Sequence, residues 1–251
     1  MALGFRDPLD AAKYRGVRYI DINLVNMSNN GLAYDNSIVY LAAPDRGPDC
    51  TLRIDISSNL ELGGKFTTDW FVVGHEMFLL FQYGQTLFKR KWVNEPTAKW
   101  AEYSMRVGEF YPLGTPSYTL PASLSDFQAN IVDAPTSTAA NRFWSRLIDL
   151  IDGQDNVLRV SDHLLAERYT DGNIVIKDRT LKGAAFIANV YQTLDAEDAI
   201  VSHNNGLNPY DWPESDQTSN THDLRILSAI QRVVRRTGIS SPELDAFLAV
   251  Q

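Results

Sequence analysis

The sequence predicts an α+β fold: a small N-terminal sheet, a motif-bearing helix packed on it, and a mostly helical C-terminal lobe. Three observations predict it. Apolar, β-branched runs at 17–25, 38–42 and 51–56 are set apart by stretches rich in Asn, Gly and Pro. An apolar-rich segment then runs as far as Tyr83, too long for a strand. From residue 113 onward the pattern is helical almost throughout, so 1–112 is read as an N-terminal lobe and 113–251 as a helical C-terminal lobe with a cleft between them.

The three early runs are expected to be strands of one sheet. In the third, Leu52, Ile54 and Ile56 alternate with Thr51, Arg53 and Asp55, the period of a strand with one wet face, which places it at an exposed or edge position. Thr67, Thr68 and Asp69 offer capping hydroxyls and an acidic side chain to the start of the long helix, and Gly84 is its expected stop. A second helix is expected from Val93 or Glu95 to Val107, with Pro96 tolerated in the first turn and Gly108 ending it. Prolines and a glycine across 111–121 mark an irregular connection. Helices are expected at 137–151, 160–169, 181–194, 223–237 and 242–250, with a long polar loop over 202–221.

Composition narrows the function classes. A hydrophobic share of 44% and a charged share of 22% in 251 residues suit a globular chain with a sizeable core. The net charge of -8 disfavours a phosphate-rich partner, so no nucleic acid is expected. Cys50 is the sole cysteine, which excludes an intrachain disulfide and a thiolate metal cluster. The longest apolar stretch is interrupted by His75 and Glu76 and is too short for a bilayer, so no membrane span is expected. The opening residues lack the basic and apolar regions of a secretory signal, and a soluble chain is the expectation.

The chemistry-bearing stretch is Val72-Val73-Gly74-His75-Glu76-Met77-Phe78-Leu79. In H-E-x-x-H, histidines four apart share a helix face and converge on one zinc, while the Glu activates the metal's water. Here the fourth position is Leu79, which has no donor atom. With four His and nine Glu in the chain, His-Glu alone arises by chance in about one such sequence in seven, so a second element is needed. Trp92 to Glu102 supplies it, bringing Glu95 and Glu102 on a second helix.

Together the two stretches resemble the gluzincin metallopeptidases. The likeness is to bacterial members whose motif helix continues with Phe and Gln and whose next helix carries Glu, Thr-Ala and Trp-Ala-Glu. Here those residues are His75, Glu76, Phe78, Gln82, Tyr83, Glu95, Thr97, Ala98, Trp100, Ala101 and Glu102. The resemblance covers roughly residues 17–106 and implies a zincin-like fold. It implies His75 as the first zinc ligand, Glu76 as general base, Glu95 as the glutamate ligand and Leu79 at the missing-ligand position. Glu102, on the face of Glu95, is the expected acceptor behind a ligand. An oxyanion-stabilising His or Tyr is also implied, with Tyr103, His203 and His222 as candidates.

Zinc is the cofactor the resemblance implies, held weakly or not at all with Leu79 in place, since catalytic zinc takes three protein ligands. The expected activity is zinc-dependent hydrolysis of peptide bonds, inactive or impaired here. The alternative is a pseudopeptidase that binds a peptide or protein without chemistry. Plainer roles are expected elsewhere: Trp92, Trp100 and Leu79 as packing residues, and His163 as a packed or surface side chain. His222 before Asp223 reads as a helix cap region, and Arg232, Arg235 and Arg236 as complements to a helix dipole.

Overall fold

The computed structural model describes residues 4–14, 16–40, 49–63, 66–106, 118–133, 137–152, 162–178 and 180–251. It is α+β, with a small mixed sheet and mostly helical content. The sheet holds β1 (Val17–Val25), β2 (Gly31–Ala33), β3 (Ile38–Tyr40) and β4 (Asp49–Ser57). β1 runs parallel to β4, whereas β2 and β3 pair antiparallel with successive stretches of β4. β4 is therefore the central strand, and the edge position expected for 51–56 is corrected.

The reason is visible in the polar residues of β4. Leu52 and Ile54 are fully buried, but so are Thr51 and Asp55 on the other face. Asp55 accepts from the Tyr34 hydroxyl at 2.9 Å and pairs with Arg53 through Nε at 2.7 Å, while the Thr51 hydroxyl donates to the Tyr19 carbonyl at 3.0 Å. Alternating polarity marks two faces of different chemistry. It does not mark an edge, because a satisfied polar group can be buried.

Two helices follow, α1 (Phe66–Gln85) and α2 (Lys91–Arg106). α1 lies against β2, β4, α2 and α6, which is why its apolar residues, among them Phe71, Phe78, Leu79 and Leu80, are not confined to a narrow stripe. Gly84 does not end α1. A Cβ there would sit 3.2 Å from the Ala11 Cβ, so the glycine lets the N-terminal segment pack close to the helix instead.

Pro96 lies inside α2, where it withholds one backbone donor from the carbonyl four residues earlier. That carbonyl, on Trp92, accepts from the Trp144 indole N–H at 2.9 Å, so the deficit created by the proline is filled by the next helix. The same contact docks α4 (Ser137–Ile151) onto α2.

Beyond a short helix, α3 (Leu124–Phe127), come α4, α5 (Asp162–Ala166), α6 (Ala184–Asn205), α7 (Glu214–Gln217), α8 (Asp223–Thr237) and α9 (Pro242–Leu248). The expected bounds hold for α4 and α8. α6 runs eleven residues past its expected end, because Asp195 to Ser202 carries buried positions at helical spacing despite its polarity: Asp198, Val201 and Ser202. The polar loop at 202–221 accordingly begins after Asn205 and contains α7. The described part of the 160–169 helix is α5, five residues long. Residues 41–48, Val107, Gly108, 111–117 and 160–161 lie outside the described residues, and the expectations made for them with them.

One hydrophobic cluster joins the sheet to the helices, from Phe5 through Leu52, Phe78, Trp92, Trp144 and Ile187 to Val250. Trp92 and Trp100 belong to it, and His163 is 84% exposed. Among the described residues no helix is long and apolar enough to cross a membrane.

Asp198 gives a pH dependence to this core. Its Oδ2 accepts from the Thr86 hydroxyl at 2.8 Å and the Leu87 N–H at 2.7 Å, fixing the exit of α1. Burial, with Asp195 adding to it, outweighs those bonds and pushes the carboxyl up to about 7 from its usual 3.8. The folded chain thus keeps a proton between those values that the unfolded chain releases, so stability declines as pH rises through that window. Asp198→Asn is expected to flatten that decline by about 1–4 kcal/mol, read from chemical unfolding at pH 5 and pH 8.

Candidate functional site

α1 and α2 pack against each other and bring polar residues together between them. On α1, His75, Leu79 and Tyr83 follow at four-residue intervals and share a face. On α2, Glu95 and Glu102 are two turns apart and also share one. The helices are pinned by Gln82, whose amide donates to the Asn94 carbonyl at 3.1 Å and the Thr97 hydroxyl at 2.8 Å. Thr97 in turn contacts the Tyr191 hydroxyl at 2.9 Å, and Tyr191 donates to Asn94 at 3.1 Å. Gln82 and Thr97 therefore set the spacing of the site from beneath.

His75 lies between the two glutamates. Its Nε2 is 3.4 Å from Glu95 Oε2, and its Nδ1 is 3.6 Å from Glu102 Oε2. Glu102 is itself held by the Lys99 ammonium at 2.6 and 2.8 Å. Burial works against the imidazolium, but Glu102 and Glu95 outweigh it and raise His75 to about 9. Glu95 is lowered by its contact with His75; Glu102 is lowered by His75 and Lys99 against the cost of burial.

Glu76 points the other way round the helix, under β2. It is 6% exposed, accepts from the Ala33 N–H, and is pushed by burial up to about 7. Room for it exists because residue 31 is glycine: a Cβ there would stand 2.6 Å from Glu76 Oε1 and 2.8 Å from Val72 Cγ1. Gly31→Ala is expected to cost about 1–3 kcal/mol, read by denaturant titration. A neutral result would mean that β2 does not press on Glu76.

The sequence-derived residues are thus partly brought together. His75, Glu95 and Glu102 meet, and Glu76 adjoins them in the chain but faces β2. Leu79 is 5% exposed, packed into the core one turn along from His75. His222 is committed elsewhere: its Nε2 meets the Asp216 carbonyl at 2.9 Å and its ring packs against Phe88 and Trp212, with centroids at 4.9 and 5.5 Å. It stands at the start of α8 without a side-chain capping bond, so the expected cap is corrected to one of position only. His203 is exposed on α6, and Tyr103 carries Lys99 over its ring at 5.6 Å.

Sequence reasoning gave Tyr83 no role at the site. Burial, with the charges of Glu95 and Glu76 adding to it, holds its phenol well above the ordinary range. The signal was available, since Tyr83 continues the four-residue spacing of His75 and Leu79.

Do these residues fit a zinc ion? Donors bound to one tetrahedral zinc lie roughly 3.3–3.5 Å apart, and the His75 to Glu95 separation of 3.4 Å is of that size. His75 and Glu95 are two donors where a catalytic zinc takes three, and Leu79, one turn on from His75, carries none. Among the described residues no three His, Cys, Asp or Glu side chains are grouped as they would be round a metal. The donor set therefore does not fit a catalytic zinc. Comparison with protein-family models, with curated proteins and with solved structures finds no match.

Proposed function

We propose that this chain is a zincin-like, metallopeptidase-type domain whose metal centre is incomplete, leaving peptide-bond hydrolysis lost or impaired. One observation carries the reading: the His75 ring and the Glu95 carboxylate, from neighbouring helices, approach to 3.4 Å with aliphatic Leu79 on the face where a third donor belongs. Glu102 behind the far ring nitrogen supports it, since ligating histidines are usually oriented by such a carboxylate. Glu76, raised to about 7, has the proton affinity of a general base, but its carboxyl is taken up by the Ala33 N–H under β2.

A second reading, a module that binds peptides without cutting them, is favoured by the placement of β2. This short strand lies on the opposite side of β4 from β1, and its Ala33 N–H reaches Glu76. An extended peptide added along such a strand would lie beside the polar residues of α1.

The test is a fluorogenic peptide incubated with the purified chain, with and without added zinc. No hydrolysis that a chelator removes is expected. Chelator-sensitive hydrolysis that zinc restores to the turnover of an ordinary zinc peptidase, about 1–1000 per second, would overturn the proposal.

A further inference from the structure

A cavity of about 310 Å³ opens where the ends of three helices meet: the C-terminus of α4, the N-terminal turns of α6 and the C-terminus of α8. Two of its walls are charged with opposite sign. Asp152 stands just beyond α4 and is 5% exposed; its Oδ2 accepts from the Gly183 N–H, and its buried Oδ1 has no hydrogen-bond partner among the described residues. Arg236, near the end of α8, lines the same cavity, is exposed, and forms no ion pair among the described residues. Ile151, Phe186 and Val233, all buried side chains, make the apolar wall, and Asn189 stands at the exposed side.

The two charges constrain the occupant. A simple organic cation would satisfy Asp152 but face Arg236, and a simple anion would satisfy Arg236 but face Asp152. A ligand carrying both charges on a short apolar body satisfies both. We propose that this cavity binds a small zwitterion of the aliphatic α-amino acid kind, its ammonium at Asp152, its carboxylate at Arg236 and its side chain against Ile151, Phe186 and Val233. The orphaned Oδ1 is the feature that a closed structural role for Asp152 does not explain, because a buried acceptor without a donor is costly. Oδ1 is shut off from solvent as the carboxylate stands, and a turn about the terminal bond, with Oδ1 taking over the Gly183 N–H, presents the freed oxygen to the ligand. The volume suits a ligand of this size. The site is separate from the one between α1 and α2 and does not depend on how that one is read.

The experiment is calorimetric titration of the whole chain with L-leucine, and in parallel with isoamylamine, which lacks the carboxylate, and 4-methylpentanoate, which lacks the ammonium. Leucine is expected to bind at one site, with each truncated analogue weaker by about tenfold or more. Arg236→Gln, at an exposed position, is expected to bring leucine down to the affinity of isoamylamine; Asp152→Asn, which keeps an acceptor for Gly183, is expected to bring it down to that of 4-methylpentanoate. No leucine binding at about 10 mM would overturn the proposal. So would equal binding of leucine and isoamylamine, or full affinity in a folded Arg236→Gln chain.

Discussion

A Leu79→His chain is expected to take up zinc, one ion per molecule, with affinity at least about 10–100-fold above that of the unaltered chain. Leu79 follows His75 by one helical turn, so an imidazole there would share its face. Together with Glu95, already 3.4 Å from His75, it would complete a set of two nitrogens and one carboxylate. Without metal, the substitution places a polar ring at a site only 5% exposed, and the metal-free variant is expected to lose about 1–3 kcal/mol of stability. Zinc should then raise its melting temperature, since a ligand that binds only the folded state stabilises it. Adding Glu95→Gln to the same chain should remove most of that gain. If a folded Leu79→His chain gains no zinc, the two helices do not share a metal-binding ancestry.

The largest expected loss of stability lies away from the site, at Asp223. This residue is 3% exposed and accepts three hydrogen bonds: from Arg90 Nε at 2.7 Å, from its second terminal nitrogen at 2.8 Å, and from the Trp92 indole at 2.7 Å. The contacts tie the start of α8 to the start of α2, and hence to the helix that carries Glu95 and Glu102. Asp223→Ala would leave a guanidinium and an indole N–H without their acceptor, at a cost of about 3–5 kcal/mol. In a chain of this length that corresponds to roughly 6–20 °C in melting temperature, measured by scanning calorimetry. Asp223→Asn keeps an acceptor and should lose less. A loss below about 1 kcal/mol for the alanine variant would mean that Arg90 finds compensation at the Thr218 carbonyl, which it already contacts at 2.7 Å.

Much of this architecture was legible because local pattern and global placement agree. The strand at 17–25 and the helices α4 and α8 carry strong periodicity with clear punctuation, Gly238 after α8 among it, and the structure keeps them. β2 escaped because three residues beginning with glycine carry no periodic signal. β4 was misplaced at an edge because Arg53, Asp55 and Tyr34 satisfy one another, which no strand pattern reveals. At the site, the approach of His75 to Glu95 is what the resemblance implied, and only the shared face of Glu95 and Glu102 followed from helical spacing. The turning of Glu76 toward Ala33 did not, since it depends on a glycine in another element. Asp152 and Arg236 line one cavity because three helices end there, and the Asp223 cluster joins residues more than 130 positions apart. Neither relation has a trace in the sequence.

The claim on which the functional reading rests is that an aliphatic side chain fills the third corner of a two-donor site. Elemental analysis of the unaltered chain, purified without chelator and dialysed against metal-free buffer, tests it most directly. Zinc well below one ion per chain is expected. A full equivalent retained through dialysis would show that another group completes the coordination, and that the site is not the impaired one described.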